Sequence, residues 1–534
     1  MALALGRIDE AIRHLSVAAR SRPDRIELAF EVANLRFARG MYLDAADEYE
    51  AIIARAPEHH GPHENLLRAL LNAGRPRRAV AAAERAFLAT GRPEFVSRGL
   101  IASNYLDDLS PIELLDRHQR GGALIARAAG ASARPVPEPR RDVPLRIGLL
   151  SGDLFEHPVA RFVEPLMQAL DRGRFRLVVF SNSDHADATT ARLRTLAEAW
   201  HEVHRVPDDH AASLIRDASV DVLVDLGGHV PNGRPGVLAR TPAPVLVTWL
   251  GYPNTTGIQG VDWRIVDEVT DPPDRSWATE RLLRIEAPFL CYRGPADPPR
   301  ARSLRRGESV VMGSFNNLVK ISDSCVRLWT SAMRAVPGSR LLLKSRGLEC
   351  LRTRAWIEQR FRDEGVEPAR LELRGWCDGL AAHFQSYDEV DIALDAFPYH
   401  GTTTTCDALW SGVPVVSRVG EDHRSRVGAT LLAAVDLPDL AVPDDAEFTQ
   451  AVVSLARDAD RRRLLRDQLR SRIIQGPLGD ASSFARRFGR ALERICGRSD
   501  TSGSIGNSRG RAVGADDALG ADDDIPDAPP PMTP

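Results

Sequence analysis

From residue 145 onward, short apolar runs alternate with stretches of helical periodicity. The runs 145–150 (LRIGLL), 175–180 (FRLVVF), 220–225 (VDVLVD) and 245–249 (VLVTW) are separated by helical stretches such as 159–170 and 190–200. Continuous apolar runs of this length between helices read as strands buried on both faces. The pattern breaks at a proline- and arginine-rich segment, 294–307, and resumes with 310–315, 341–344, 371–374, 392–395 and 413–417. It predicts an α/β architecture of two Rossmann-like halves, 144–293 and 308–498, facing each other over a cleft. Ligands of such sheets bind beyond the carboxyl ends of the strands, so the chemistry is sought in the loops that follow them.

Ahead of these halves the chain is helical and repeats itself. Gly6, Gly40 and Gly74 are 34 residues apart, as are Ala11, Ala45 and Ala79; Pro23 and Pro57 keep the same step, with Gly91 at the third position. That period belongs to the tetratricopeptide repeat, a helix–turn–helix unit. The small residues mark where paired helices approach closely. Gly6 falls near the end of a repeat's first helix, so either the array opens on a half-repeat, with 1–13 as a lone helix, or the start lies further upstream. Residues 1–127 are thus expected to be an all-α array with a concave surface for another polypeptide. Residues 128–143 (AAGASARPVPEPRRDV) read as a linker. Residues 499–534, rich in Gly, Ser, Asp and Pro, read as a disordered acidic tail.

Charge and cysteine content exclude several classes. The 534 residues carry a net charge of −3, from 70 basic and 73 acidic side chains. The tail holds seven Asp and two Arg, so what precedes it is close to neutral, and no wholesale binding to nucleic acid is expected. The cysteines at 291, 325, 350, 377, 406 and 496 form no CxxC pair, which argues against a zinc site or disulfide framework and for reduced thiols. No apolar run approaches the roughly 20 residues of a membrane span. The start, MALALGRIDEAIRH, reads as no signal peptide, and a cytoplasmic location is expected.

Five loops carry candidate chemistry. In 397–410 (FPYHGTTTTCDALW) a strand gives way to a Gly/Thr turn and a helix from about Thr404. Free amides at a helix N-terminus beside hydroxyls suit a diphosphate; the threonines also serve a helix cap. In 313–321 (GSFNNLVKI), Lys320 is placed to neutralise a leaving diphosphate, or is a solvated surface lysine. In 151–158 (SGDLFEHP), His157 is placed to position sugar or phosphate, or is a satisfied loop histidine. In 225–229 (DLGGH), Asp225 and His229 offer a general base. In 248–257 (TWLGYPNTTG), aromatic and hydroxyl groups suit a sugar, although packing also explains Trp249 and Tyr252. No Asp-x-Asp pair ends a strand, and the spacing of Asp391 and Asp395 suits strand burial. His201, His204 and His210 lie in a polar stretch without a partner carboxylate, so no metal is expected.

Behind tetratricopeptide repeats and in this order, these motifs resemble the protein O-linked N-acetylglucosamine transferases and their SPINDLY relatives, over about residues 1–498. The resemblance implies a GT-B fold and an inverting, metal-independent transfer of sugar from a nucleotide-sugar to Ser or Thr hydroxyls of a protein held by the repeats. By motif it places His157 beside the diphosphate and acceptor, and Lys320 of FNNLVK, with Asn317, at the diphosphate. It places Gly401, Thr402, Thr403, Thr404 and Asp407 in the phosphate loop and at the ribose, and His383 beside the base. The family label gives UDP-GlcNAc as donor. The wording FPYHGTTTTCD and LGYPNTTG, with Thr402 where the animal enzymes carry histidine, is closer to SPINDLY, whose plant members use GDP-fucose. A GT-B transferase acting on a non-protein glycan is a further alternative.

Overall fold

The computed structural model describes residues 7–130, 144–295, 309–377 and 379–498. The expected tail, and the expected linker beyond Gly130, lie outside the described residues.

Helices α1 (Ile8–Ser21), α2 (Ile26–Ala38), α3 (Tyr42–Ile53), α4 (His60–Asn72), α5 (Pro76–Thr90), α6 (Glu94–Ser103) and α7 (Pro111–Ala128) form the array. The 34-residue step is visible in the starts of α2, α4 and α6, at 26, 60 and 94. Gly40 and Gly74 take φ of +74° and +71° just after α2 and α4, where the chain must reverse into the paired helix. Ala45 and Ala79 are fully buried at those pairings. Helix α1 occupies the place of a unit's second helix and runs from Ile8 to Ser21, a correction to the lone helix expected over 1–13. A Ser110–Glu113 capping box starts α7.

The first half carries β1 (Leu145–Ser151), β2 (Phe175–Ser181), β3 (Ala199–Glu202), β4 (Val222–Asp225), β5 (Val245–Thr248), β6 (Trp263–Val266) and β7 (Arg281–Arg284). They are hydrogen-bonded in the order β3-β2-β1-β4-β5-β6-β7. The second half carries β8 (Val311–Ser314), β9 (Arg340–Lys344), β10 (Leu371–Arg374), β11 (Ile392–Leu394), β12 (Val415–Arg418) and β13 (Ala441–Val442), in the order β10-β9-β8-β11-β12-β13. Every pairing is parallel. In both sheets the strand order reverses between the first and fourth strands, β1/β4 and β8/β11. The loops after these four strands, which hold four of the five motifs, therefore gather at the two switch points.

The first sheet's helices are α8 (Pro158–Ala169), α9 (Ala188–Thr195), α10 (Asp208–Asp217) and α11 (Pro235–Leu238). The second half has α12 (Asp323–Ala335), α13 (Leu351–Asp363), α14 (Leu380–Gln385), α15 (Thr403–Trp410), α16 (Val427–Ala433), α17 (Asp445–Arg457) and α18 (Ala459–Gln475). The last helix is α19 (Ala481–Ile495).

Two expectations change. The helix expected over 190–200 stops at Thr195, and Ala199–Glu202 forms the edge strand β3, whose half-exposed AWHE sequence has no apolar run to betray it. The boundary 308–498 also fails at its end, because α19 returns to the first half. Its Phe488 ring lies 5.0 Å from Trp249, Gly489 backs onto Phe175, and Glu493 pairs with Arg174 at 2.6 Å. The stripe Phe484, Phe488, Ala491 and Leu492 is buried there. The array docks equally closely: an added Cβ at Gly122 of α7 would stand 1.8 Å from the Gly257 carbonyl oxygen, so backbone lies on backbone.

Candidate active site

The phosphate-type loop is built around Asp395, just past β11. Its Oδ1 accepts from the amides of Ala396 (2.9 Å) and Gly401 (2.8 Å), and its Oδ2 from Ser417 Oγ (2.7 Å). A buried carboxylate thereby ties the loop's two ends together. His400 donates from Nε2 to the Arg418 carbonyl (2.7 Å) and accepts at Nδ1 from the Gly428 amide (3.0 Å). Both ring nitrogens are used, and burial lowers its pKa, so it is a neutral structural histidine. Helix α15 then opens with Thr403 and Thr404 half-buried at its mouth, where the first amides have no partner within the helix. Thr405 is buried and donates to the Gly401 carbonyl (3.0 Å), so of the four threonines it alone is a packing residue.

Lys320, in the 3-10 turn Leu318–Lys320 after β8, comes to this loop. Its Nζ donates to the His400 carbonyl (2.7 Å) and sits 3.9 Å from the Tyr399 ring centroid. Burial pulls its pKa down to about 8, with Asp395 opposing. The adjacent Asn317 is exposed, whereas Asn316, which the sequence did not single out, is buried with its Oδ1 unpartnered and turned to Gly401.

His157 caps α8 from the opposite half, its Nδ1 accepting from the Val159 amide (3.4 Å). Burial lowers its pKa; Asp153 opposes and Arg161 adds to the shift. One turn into α8, Arg161 donates from one guanidinium nitrogen to both oxygens of Asp407 (2.9 and 3.0 Å), itself one turn into α15. This pair holds two helix N-termini on facing walls of the cleft. Tyr292 Oη (2.5 Å) and His383 Nε2 (3.1 Å) also donate to Asp407. Beside them opens a cavity of about 420 Å³, lined among others by Phe155, His157, Arg161, Arg192, Arg293 and Leu380. The structure thus brings Lys320 to the loop that holds Gly401, Thr402, Thr403 and Thr404, and joins Asp407 of α15 to His383 and, through Arg161, to the helix that His157 caps.

Asp225 and His229 do not join them, which corrects their assignment as a general base. The loop after β4 curls back so that Asp225 accepts from the amides of Gly227 (3.2 Å) and Gly228 (2.7 Å); burial pushes its pKa up to about 6. His229 is sealed between Ser97 Oγ (3.0 Å) and the Thr256 carbonyl (2.6 Å) at the junction with the array, and burial pulls it down to about 4. Both are occupied in holding the fold. Trp249 donates to the Phe289 carbonyl (3.0 Å), and Tyr252 Oη bonds Asn104 (2.9 Å) and His118 (2.6 Å), so packing accounts for that motif as well. Among the described residues no group of three His, Cys, Asp or Glu side chains is placed to hold a metal ion.

Sequence reasoning missed Arg161, Tyr292 and Lys344. Lys344 ends β9 and is 4% exposed; its Nζ lies 3.0 Å from His383 Nδ1. A signal for it existed. Of the 70 basic residues only two, Lys320 and Lys344, are lysine; one bonds the loop before α15 and the other bonds His383.

A family model described as Glycosyl transferase family 41 matches residues 134–290 and 300–488, the two halves around this cleft. The chain belongs to glycosyl transferase family 41. Its two facing Rossmann-like halves are the GT-B arrangement. It is 36% identical over 397 residues to a barley (Hordeum vulgare) protein named "Probable UDP-N-acetylglucosamine--peptide N-acetylglucosaminyltransferase SPINDLY", covering 72% of this chain and 42% of the relative. The Arabidopsis thaliana protein of the same name is 37% identical over 398 residues, covering 72% and 43%. The chain therefore spans about two fifths of the length of these relatives. A solved structure of a mutant Thermobaculum terrenum O-GlcNAc transferase superposes with a TM-score of 0.82 at 31% identity, covering 93% of this chain and 95% of that one. No described helix is long and apolar enough to cross a membrane.

Proposed function

We propose that this protein transfers a sugar from a nucleoside-diphosphate sugar to Ser or Thr hydroxyls of a protein, with inversion and without a metal ion. The observation that carries this is the meeting of Lys320 with the loop that opens α15: an ammonium and a row of free amides converge where a diphosphate fits. As the glycosidic bond breaks, negative charge grows on the diphosphate, and a preorganised cation there favours the transition state over the bound donor. His157 accepts a backbone amide at Nδ1, so its neutral ring carries the proton on Nε2 and donates into the cavity. That suits a phosphate or sugar oxygen better than it suits base catalysis. The acceptor polypeptide lies in the groove of the array and reaches the cavity from the first half.

UDP-GlcNAc is the proposed donor, on the names of the relatives; GDP-fucose is the alternative that the Thr402 loop favours. The test incubates the purified chain with each donor and candidate acceptor proteins, with and without EDTA, and reads intact mass. A single-sugar mass gain on Ser or Thr that survives chelation is expected. Failure to bind either nucleotide, or turnover lost to EDTA and restored by Mn²⁺, overturns the reading.

A further inference from the structure

Lysine is nearly absent from this protein. The only two lysines of its 70 basic residues are both tied to the second half's site residues, Lys320 to the loop before α15 and Lys344 to His383. Lys320 has been accounted for. Lys344 lies at the carboxyl end of β9 and reaches no part of the cavity directly.

Its Nζ is enclosed by His383 Nδ1 (3.0 Å), Ser386 Oγ (3.3 Å), Cys377 Sγ (3.4 Å) and the His383 carbonyl (3.5 Å), and it lies 4.5 Å from the Phe315 ring centroid. An ammonium has three protons, and four acceptors already share them. No carboxylate is among these partners. The group is therefore committed to its neighbours and not poised to bind a ligand. Burial lowers its pKa, the Cys377 thiol opposing.

We infer that Lys344 is a positioning residue of the donor site: by donating to His383 Nδ1 it fixes the tautomer whose Nε2–H holds Asp407. The inference rests on the reading of the cleft as a donor site. The imidazole can accept at one nitrogen only if the other carries its proton. With Nδ1 facing an ammonium, the proton belongs on Nε2, which faces Asp407 Oδ2 at 3.1 Å. His383 is thus pinned at both nitrogens while Phe315, Phe384 and Tyr387 box its ring, with centroids 6.3, 5.4 and 5.5 Å away. Asp407 in turn is held by His383 of its own half and by Tyr292 and Arg161 of the first half. A carboxylate offers about four lone-pair sites, and Arg161 at both oxygens, Tyr292 at Oδ1 and His383 at Oδ2 take them all, so the set fixes Asp407 in one orientation and His383 with it. Arginine cannot replace this lysine: its planar fork needs acceptors in one plane, whereas these surround a point.

The test starts from the nucleotide-free wild type. Histidine ¹⁵N NMR, with His383→Gln assigning the signal, should show Nε2 protonated and Nδ1 as acceptor. In Lys344→Met, an uncharged variant of similar length, the tautomer should become mixed. Calorimetric titration with UDP and with GDP should show the better-bound nucleotide weakened about ten- to hundredfold in Lys344→Met, without rescue in Lys344→Arg. Protonated Nδ1 in the wild type overturns the inference. So does a Lys344→Met variant with unchanged tautomer and affinity, or full rescue by Lys344→Arg. If the wild type binds neither nucleotide, the donor-site reading falls instead, and the histidine spectrum still decides the role of Lys344. If Lys344→Met does not fold, the wild-type spectrum decides it alone.

Discussion

Removing the Lys320 ammonium should cost turnover far more than donor affinity. On the proposed reading, the diphosphate of the bound donor keeps the amides that open α15 and the hydroxyls of Thr403 and Thr404 when Lys320 is removed. What Lys320 adds is a charge that matters more as the leaving group gains charge. Two unit charges 4 Å apart at an effective dielectric near 20 interact by about 4 kcal/mol. Loss of one preorganised donor to a developing anion typically costs about 3–4 kcal/mol. Both routes place Lys320→Ala at about 10²–10³-fold in kcat, with the donor KM changed only a few-fold. The burial that makes the charge effective also lowers its pKa to about 8. The cation is present below that value, so kcat/KM of the wild type should fall as pH rises through about 8. Lys320→Arg keeps the charge at high pH and should flatten that limb. It should recover only part of kcat, because a guanidinium does not fit where Nζ stands 2.7 Å from a carbonyl and 3.9 Å from the Tyr399 ring. Steady-state kinetics with a verified acceptor between pH 6 and 10 provide the measurement. Near-normal turnover in Lys320→Ala, or an alkaline limb that persists in it, would refute the reasoning.

The junction between array and first half should be acid-labile. Burial holds His118 at about 3 and His229 at about 4, whereas the unfolded chain takes up protons near 6.5, so stability is full above that value and is lost as pH falls below it. Between pH 7 and 5 each histidine removes about 2 kcal/mol, and protonation of Asp225, raised to about 6, returns about 1 kcal/mol. Denaturant melts at the two pH values should show a net loss of about 3 kcal/mol; flat or rising stability would contradict this. Gly401→Ala puts a Cβ 2.9 Å from Thr405 Oγ1 and 3.1 Å from Asn316 Oδ1. It should weaken UDP or GDP binding about tenfold with little change in Tm, and unchanged calorimetric affinity would remove the loop from the donor site. Tyr105 of the array stacks on Tyr399 at 5.1 Å, and Arg424 bonds the carbonyls of Asn104 (2.7 Å), Leu106 (3.1 Å) and Leu109 (3.2 Å). Tyr105→Leu should lower kcat while Tyr105→Phe retains it; equal kinetics in both variants would show that the array does not steady Lys320.

Much of the site was legible because the chemistry of a doubly wound sheet sits at fixed places in the chain. Residues 151–157, 315–320 and 395–407 follow the strands at which the strand order of each sheet reverses, so motif and strand position point to the same place. The loop 225–229 met the same criterion and failed. Whether a carboxylate after a strand faces a cleft or its own loop depends on two glycine amides two and three residues away, and Gly227 and Gly228 turn inward. Arg161 and Asp407 are separated by 246 positions, and nothing local to either pairs them.

What the sequence determined by itself is periodic or local. The 34-residue step sets the helix pairs, and the unbroken apolar runs set the central strands. These follow from how a backbone of given period presents its side chains, and no distant residue is needed to read them. The tertiary structure decided what depends on closure through space. It settled that the amphipathic α19 covers the first sheet, that the polar segment Ala199–Glu202 joins an edge, and that Asp225 and His229 hold the fold while Lys344 steadies His383. An apolar stripe or a buried charge needs a partner, and the sequence states that need without naming the partner. Only the packing of both halves and the array around one cleft supplies it.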